Sequence, residues 1–348
     1  TAVGVWDWVT VSTDPALSEK NGVLTAIESG HRGLLAGDSA APNKWRYVDG
    51  GPVIPIGLFV NGMLDDASAA EFTRLAKFLE EHRFALINFR ISEHDKAFDD
   101  VSGISMNLNL WRRLERRIET LTEHGVGVDI MLYTDDSGRP SYPARSPQER
   151  LLIRYMVARL SGFPSVLFNT GIDLMEYRDQ SWVNWFGEIV RRLDPYGHPV
   201  SSRYGGGSGQ LVMEGQTFNS VGARNSTMSE LVAAYHQGDR IPALNNDNWS
   251  EDLNGLNGHT PADLRRATWK AIVAGGVGFS IRHNVLHCPR GITECDRYFP
   301  ISSAIELLDS GSWVKIAIEL IEAQLGERYQ RMQPMPGLVE AGGSKFAI

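Results

Sequence analysis

The chain has 348 residues, 42% of them apolar, and a net charge of −8. That length can bury a large core, and a barrel of roughly 250 residues fits inside it with an appendage at each end. Charges of both signs are interspersed, with no basic run to track a phosphate backbone, which argues against a nucleic-acid partner. No apolar stretch reaches the ~18 residues that a membrane-crossing helix needs. The chain opens on Thr1 without a start methionine or signal sequence, as a processed or trimmed chain would.

Residues 1–50 read as an N-terminal extension containing β structure, with Val3 to Val11 alternating around Trp6 and Trp8. From Pro52 a regular rhythm begins. Val53 to Val60 reads as a strand, and Ala67 to His82 as a helix with an apolar stripe behind the capping signal Ser68-x-x-Glu71. Phe84 to Ile91 and a helix from Leu108 to His124, stopped by Gly125, form a second unit. Val126 to Tyr133 begins a third, whose helix opens at Ser146-Pro147-Gln148-Glu149: an N-cap, Pro at the first helical position and a capping-box Glu.

The fourth strand, in the stretch 165–177 with Asp173 just past its end, precedes a helix from Ser181 to Leu193 and the stop Asp194-Pro-Tyr-Gly-His-Pro199. A fifth, Val200 to Tyr204, runs into Gly205–Gly209, which lacks the Lys-Ser/Thr and following helix of a phosphate cradle. Gln216 to Val221, Ile241 to Asn246 and Val277 to His283 are the sixth to eighth strands, with helix starts at Thr227-x-x-Glu230 and Thr260-Pro261-Ala-Asp263 and a last helix from Ser303 to about Leu325. Repeated βα units of this kind predict an α/β fold, a (β/α)8 TIM barrel over 51–327, with short β appendages at the N terminus and over 328–348.

A parallel barrel keeps its chemistry at the C-terminal ends of its strands. The positions gathered there are Asn61, Asn88, Arg90, Tyr133, Asp135, Asn169, Asp173, Glu176, Tyr177, Arg203, Tyr204, Asn246, Asp247, Trp249, Arg282 and His283. Amides and charges that satisfy hydroxyls, beside aromatic faces such as Tyr177 and Trp249 on which C–H faces pack, suit an oligo- or polysaccharide. Glycosidic cleavage needs two carboxyl groups flanking the bond. Asp173 after strand four is expected to be the acid/base and Asp247 after strand seven the nucleophile or general base, with Glu176 in reserve for the acid and Asp135 or Asp136 for the base. Each of these, taken singly, is equally at home as a helix cap or an ion-pair partner.

The chain resembles the apiosidase-like glycoside hydrolases. The likeness rests on Asp49-Gly-Gly-Pro-Val-Ile-Pro-Ile-Gly57 entering strand one, Tyr155-Met-Val-Ala-Arg-Leu160, Val166-Leu-Phe-Asn-Thr-Gly-Ile-Asp173, Leu193-Asp-Pro-Tyr-Gly-His-Pro199, Arg265-Arg-Ala-Thr-Trp269 and Gly275-Gly276. It implies a barrel with the acid/base on strand four and the nucleophile on strand seven, acting on glycans. Three departures are visible. Leu58-Phe-Val-Asn-Gly62 replaces a polar Asp-Thr-x-x-Trp after the first glycine, strand four ends Ile172-Asp173 where relatives have Asn-Glu, and Asp247 stands where Glu is usual. Met335 to Ile348 resembles the first strands of a C-terminal β-sandwich.

Cys288 and Cys295 are the two cysteines, spaced for a local disulfide and hence an oxidising, secreted or periplasmic setting; two free thiols in a cytosolic enzyme are the other reading. No cofactor motif and no metal site is expected, because His283 and His287 lack a His-x-His on the first strand. The rival readings are a barrel that binds sugar without cleaving it and a metal-dependent hydrolase.

Overall fold

A computed structural model describes residues 3–60, 68–91, 95–133, 139–171, 174–202, 211–222, 227–237, 241–246, 250–251, 260–283 and 310–334. The chain divides into two compact units, Thr1–His31 and Arg32–Ile348. In the first, β1 (Gly4–Val9) pairs antiparallel with β2 (Asn21–Ala26), Trp6 opposite Leu24 and Trp8 opposite Gly22. The Trp8 indole occupies the space where a side chain at position 22 would stand. Residues 32–50, expected in the extension, belong to the second unit.

The second unit begins with a small antiparallel sheet, β3 (Leu35–Gly37), β4 (Trp45–Tyr47) and β5 (Pro52–Val53). Then β6 (Ile56–Phe59), α1 (Ala69–Glu81) and β7 (Leu86–Arg90) start the barrel, and the short β8 (Phe98–Asp100) and β9 (Ser105–Met106) form a hairpin before α2 (Leu108–Glu123). The next units are β10 (Gly127–Tyr133) with α3 (Pro147–Leu160), and β11 (Val166–Gly171) with α4 (Gln180–Leu193). After β12 (Val200–Ser201) and β13 (Asn219–Val221) come α5 (Met228–Gln237), β14 (Ala243–Asn245), β15 (Ser250–Glu251), α6 (Pro261–Val273), β16 (Gly278–His283) and α7 (Ser310–Gln324).

The main sheet runs β12-β11-β10-β7-β6-β16-β14-β13, its ladders parallel. This is the (β/α)8 order, in which strands five and six meet last. At that seam the Thr217 amide donates to the Val200 carbonyl at 2.9 Å and the Ser220 amide to Ser201 Oγ at 3.3 Å, so the barrel is nearly closed.

The caps read from sequence are present at Ser68/Glu71 and Thr260/Asp263. Gly125, at φ 70°, takes the left-handed turn that ends α2. In the stop after α4, the Asp194 carboxylate accepts the amides of Tyr196 and His198, while His198 Nε2 faces the Phe163 carbonyl at 2.9 Å. Observed strands are shorter than the apolar runs, because those runs extend past the ladder into adjoining turns.

Alternation sorts the strand residues. Ile56, Leu58, Ile87, Phe89, Val128, Ile130, Val166, Phe168, Phe279 and Ile281 face outward into the core beneath the helices, with Phe72, Leu75 and Leu79 of α1 and Leu114, Ile118 and Leu121 of α2. Inward, at the N-terminal ends of the strands, Leu86, Leu167, Phe218 and Leu244 make an apolar floor closed from below by Leu35, Trp45 and Tyr47. Trp45 Nε1 donates to the Ala243 carbonyl at 2.9 Å, and Gln330 Nε2 to the Trp45 carbonyl at 2.9 Å. Glycine at 57 and 278 makes room for the Leu86 and Leu244 side chains.

Beside this floor Lys44 is buried, 2% exposed, its Nζ 4.4 Å from the Tyr329 ring centroid and 5.5 Å from that of Tyr235. Nζ has no hydrogen-bond partner among the described residues. Burial lowers its pKa from 10.5 to about 8, a gap equivalent to about 3 kcal/mol. Because the folded-state value is the lower one, the unfolded chain holds more protons between pH 8 and 10.5, and stability rises with pH across that window. Lys44→Met is expected to raise the melting temperature at pH 7 and to lose most of that advantage by pH 10.5, as followed by thermal unfolding of both proteins across that range.

Candidate functional site

Above the apolar floor most inward positions become polar, beside Phe59 of β6 and Met131 of β10, which pack on each other in register with Asn88 and Asn169. The Asp129 carboxylate of β10 lies in the barrel interior at 0% exposure, and its Oδ2 is a shared acceptor. Asn88 Nδ2 of β7 donates to it at 2.6 Å, Asn246 Nδ2 at the end of β14 at 2.9 Å, and Asn169 Nδ2 of β11 at a longer 3.4 Å. Ser220 of β13 accepts from Asn246 at 3.0 Å and from Asn169 at 3.3 Å, Asn88 donates to Asn246 Oδ1 at 3.3 Å, and Ser280 of β16 donates to Asn88 Oδ1. A buried amide or carboxyl left unbonded costs about 1–3 kcal/mol, so these groups hold one another in a single arrangement that crosses the barrel.

The expected site residues fall at several places. Asn88, Asn169 and Asn246, expected at the substrate surface, are fully buried in this polar layer; amides so close to strand ends are drawn in by the carboxylate between them. Tyr133 is also fully buried, its hydroxyl donating to Glu149 Oε1 at 2.8 Å. Burial, then its neighbours Tyr142 and Glu149, raises the Tyr133 pKa well above the usual phenol value, so it stays a donor. Glu176 is exposed in a 3-10 turn, Leu174–Glu176, and Tyr177 is half-buried after it. Arg90, Arg282 and His283 lie in β7 and β16. Asn61, Asp135, Asp136, Asp173, Arg203, Tyr204, Asp247, Trp249, Cys288 and Cys295 lie outside the described residues.

The turn after β11 is anchored from below. The Leu174 carbonyl accepts the amides of Tyr177 and Arg178, and the Arg178 guanidinium, 4% exposed, donates to Glu149 Oε1 at 2.8 Å. Burial pulls the Arg178 pKa down, but the Glu149 carboxylate outweighs it and leaves the guanidinium above its usual value. Its charge sits 5.0–5.4 Å from the ring centroids of Tyr177, Trp182 and Tyr133. Glu149 also accepts from Trp182 Nε1 of α4 at 2.9 Å and from the Arg145 amide. The capping box expected at Ser146 is therefore half made. Ser146 Oγ accepts the Glu149 amide at 3.3 Å, but the Glu149 side chain turns inward, where four donors await it. Gly171 closes the strand at φ 127°, where an added Cβ would sit 2.1 Å from the Tyr133 carbonyl oxygen.

Neither Asp129 nor Glu149 stood among the expected site residues. An acidic residue inside the apolar run Gly127-Val-Asp-Ile-Met-Leu-Tyr133 was the available signal for the first, because Asp is seldom fully buried without partners. Among the described residues no group of three or more His, Cys, Asp or Glu side chains is arranged for a metal.

No family profile and no curated protein matches the chain. Solved structures do. A presumptive glycoside hydrolase from Bacteroides vulgatus superposes with a TM-score of 0.72 at 20% identity, covering 92% of this chain and 68% of that one. The exo-β-1,4-mannosidase Op5Man5 from an Opitutaceae bacterium gives 0.58 at 15% identity over 84% and 63%. The catalytic domain of Thermobifida fusca endoglucanase Cel5A gives 0.56 at 15% identity over 83% and 100%. At these identities the likeness establishes the barrel fold.

Removing one partner of a buried ion pair leaves the other uncompensated, at a cost of about 3–5 kcal/mol, whereas a partly exposed pair contributes about 1 kcal/mol or less. Glu149→Ala is thus expected to lower the unfolding free energy by that larger amount and Arg46→Ala, which faces Asp38 and Glu327 near the surface, by the smaller. Urea unfolding of the two variants checks the difference.

Proposed function

We propose that this protein is a glycoside hydrolase acting on an oligo- or polysaccharide, with Asp173 as the acid/base and Asp247 as the nucleophile or general base. The observation carrying this reading is the pair of chain exits from the polar layer. Asn169, on strand four, and Asn246, at the end of strand seven, share the Asp129 oxygen, and Asp173 and Asp247 follow them in sequence by four residues and one. Strands four and seven face across a (β/α)8 mouth, the geometry that two carboxyl groups flanking one glycosidic bond require. The structural neighbours support the same class, since they include an exo-β-1,4-mannosidase, an endo-1,4-β-mannanase and an endoglucanase.

In this scheme Asp173 gives its proton to the departing glycosidic oxygen, and Asp247 either attacks the anomeric carbon or deprotonates the water that does. Carboxyl groups ~5–5.5 Å apart retain the anomeric configuration, and ~6.5–9.5 Å apart invert it. Tyr177 and Trp249 are assigned to the sugar faces; Asn61, Arg90, Asp135, Arg203, Tyr204, Arg282 and His283 to its hydroxyls. The Cys288–Cys295 disulfide and a secreted or periplasmic location belong to the same proposal. A second reading, a barrel that binds sugar without cleaving it, is favoured by aspartates at two positions where relatives carry glutamates.

A panel of plant, algal and bacterial polysaccharides, begun with β-1,4-linked mannans and glucans, tests the proposal by released reducing ends. Wild-type protein is expected to cleave at least one. Asp173→Asn and Asp247→Asn are each expected to lose about 10²–10⁴-fold in kcat, and a chelator is expected to change nothing. Tight binding without product favours the second reading, and full activity in both variants rules out the assigned roles.

A further inference from the structure

We propose that Asp129 is a positioning residue that sets the gap between the strand-four and strand-seven carboxylates. This rests on the glycosidase reading above and adds to it a residue that touches no substrate. Asp129 Oδ2 draws the NH2 ends of Asn88, Asn169 and Asn246 toward one point. An amide whose nitrogen is so fixed has its oxygen fixed as well. Asn169 Oδ1 thereby accepts the Gly171 amide at 3.3 Å, shaping the exit of β11 toward residue 173. Asn246 Oδ1 accepts from Asn88, and its nitrogen reaches Ser220 as well as Asp129, pinning the chain one residue before 247.

Both exits are also held from the backbone. The Asn246 amide donates to the Val221 carbonyl at 3.1 Å, and Gly171 stands opposite Tyr133 in the β10–β11 register. What those ladders leave open is how far β11 and β14 stand from each other, because they are not neighbours in the sheet. The described hydrogen bonds that span that distance meet at Asp129 Oδ2 and Ser220 Oγ. Of these two groups, the carboxylate oxygen gathers a third strand, β7, at 2.6 Å. A displacement of ~1 Å between catalytic groups can cost about 10²-fold in rate while leaving binding intact, so the layer's contribution should appear in kcat.

The test compares Asp129→Leu, which fills the same space without an acceptor, and Asp129→Asn, which keeps one acceptor oxygen. On the polysaccharide that the wild type cleaves, Asp129→Leu is expected to lower kcat about 10²-fold with KM within about threefold, and Asp129→Asn to recover most of the loss. Should Asp129→Leu fail to fold, Asp129→Asn alone carries the test, and a measurable fall in kcat at unchanged KM is required of it. Amide hydrogen exchange supplies a readout that needs no substrate. Peptides covering 166–171 and 243–246 should exchange about tenfold faster in Asp129→Leu, and by a smaller factor in Asp129→Asn, while those of α1 and α2 keep the wild-type rate.

A wild-type kcat in the variants, a rise in KM alone, or exchange that is unchanged or faster throughout the barrel overturns the proposal. Loss of activity at Asp129 together with full activity in Asp173→Asn and Asp247→Asn would instead overturn the assignment of the carboxylates, and with it the claim that Asp129 acts through the gap between them.

Discussion

Polar side chains inside a barrel have nowhere to turn but to one another. The interior of this barrel is filled in levels: Leu86, Leu167, Phe218 and Leu244 below, then Asn88, Asp129, Asn169, Ser220, Asn246 and Ser280. The lower level needs only volume and is indifferent to small rotations. The upper one has direction, because each amide offers a donor at one end and an acceptor at the other, and a single carboxylate oxygen decides which end faces the centre. The strands that leave this level therefore reach the barrel mouth with their spacing already set.

The same device is repeated outside the barrel wall. Glu149 is a second fully buried carboxylate ringed by donors, drawn from strand three, the loop before α3, the turn after β11, and α4. It ties the turn that follows Asp173 to the helices beneath, as Asp129 ties the strands across the hollow. A barrel supporting chemistry on loops needs such rigidity below them, since the loops themselves are selected for what they bind.

Much of the fold was legible in the sequence because helix starts and alternating strands are local signals. Ser68/Glu71 and Thr260/Asp263 cap where their spacing says they should, and Gly125 stops α2 by its backbone alone. The polar layer was harder to read. That Asn88, Asn169 and Asn246 sit at strand ends could be seen; that they point at a shared acceptor depends on the curvature of a sheet closing over more than a hundred residues. Position in sequence put them among the residues expected to touch a substrate, and the structure buries them in the layer. Glu149 misled for a related reason. Its spacing from Ser146 matches a local capping box, and no local rule reveals that, besides the nearby Arg145 amide, the donors of Tyr133, Arg178 and Trp182 converge on the same carboxylate. Residues 32–50 looked like an appendage because they form a mixed segment rich in Gly, Ala and Asp, yet Trp45 supplies the plug that seals the floor.

A crystal structure with an uncleaved oligosaccharide, soaked into a variant with one strand-end aspartate replaced by asparagine, tests the central claim most directly. The scissile oxygen is expected between residues 173 and 247, with the sugar resting over the Asn88–Asp129–Asn169–Asn246 layer and touching none of those side chains. A sugar bound away from the strand-four and strand-seven ends, or either of those two side chains directed out of the mouth, would contradict it.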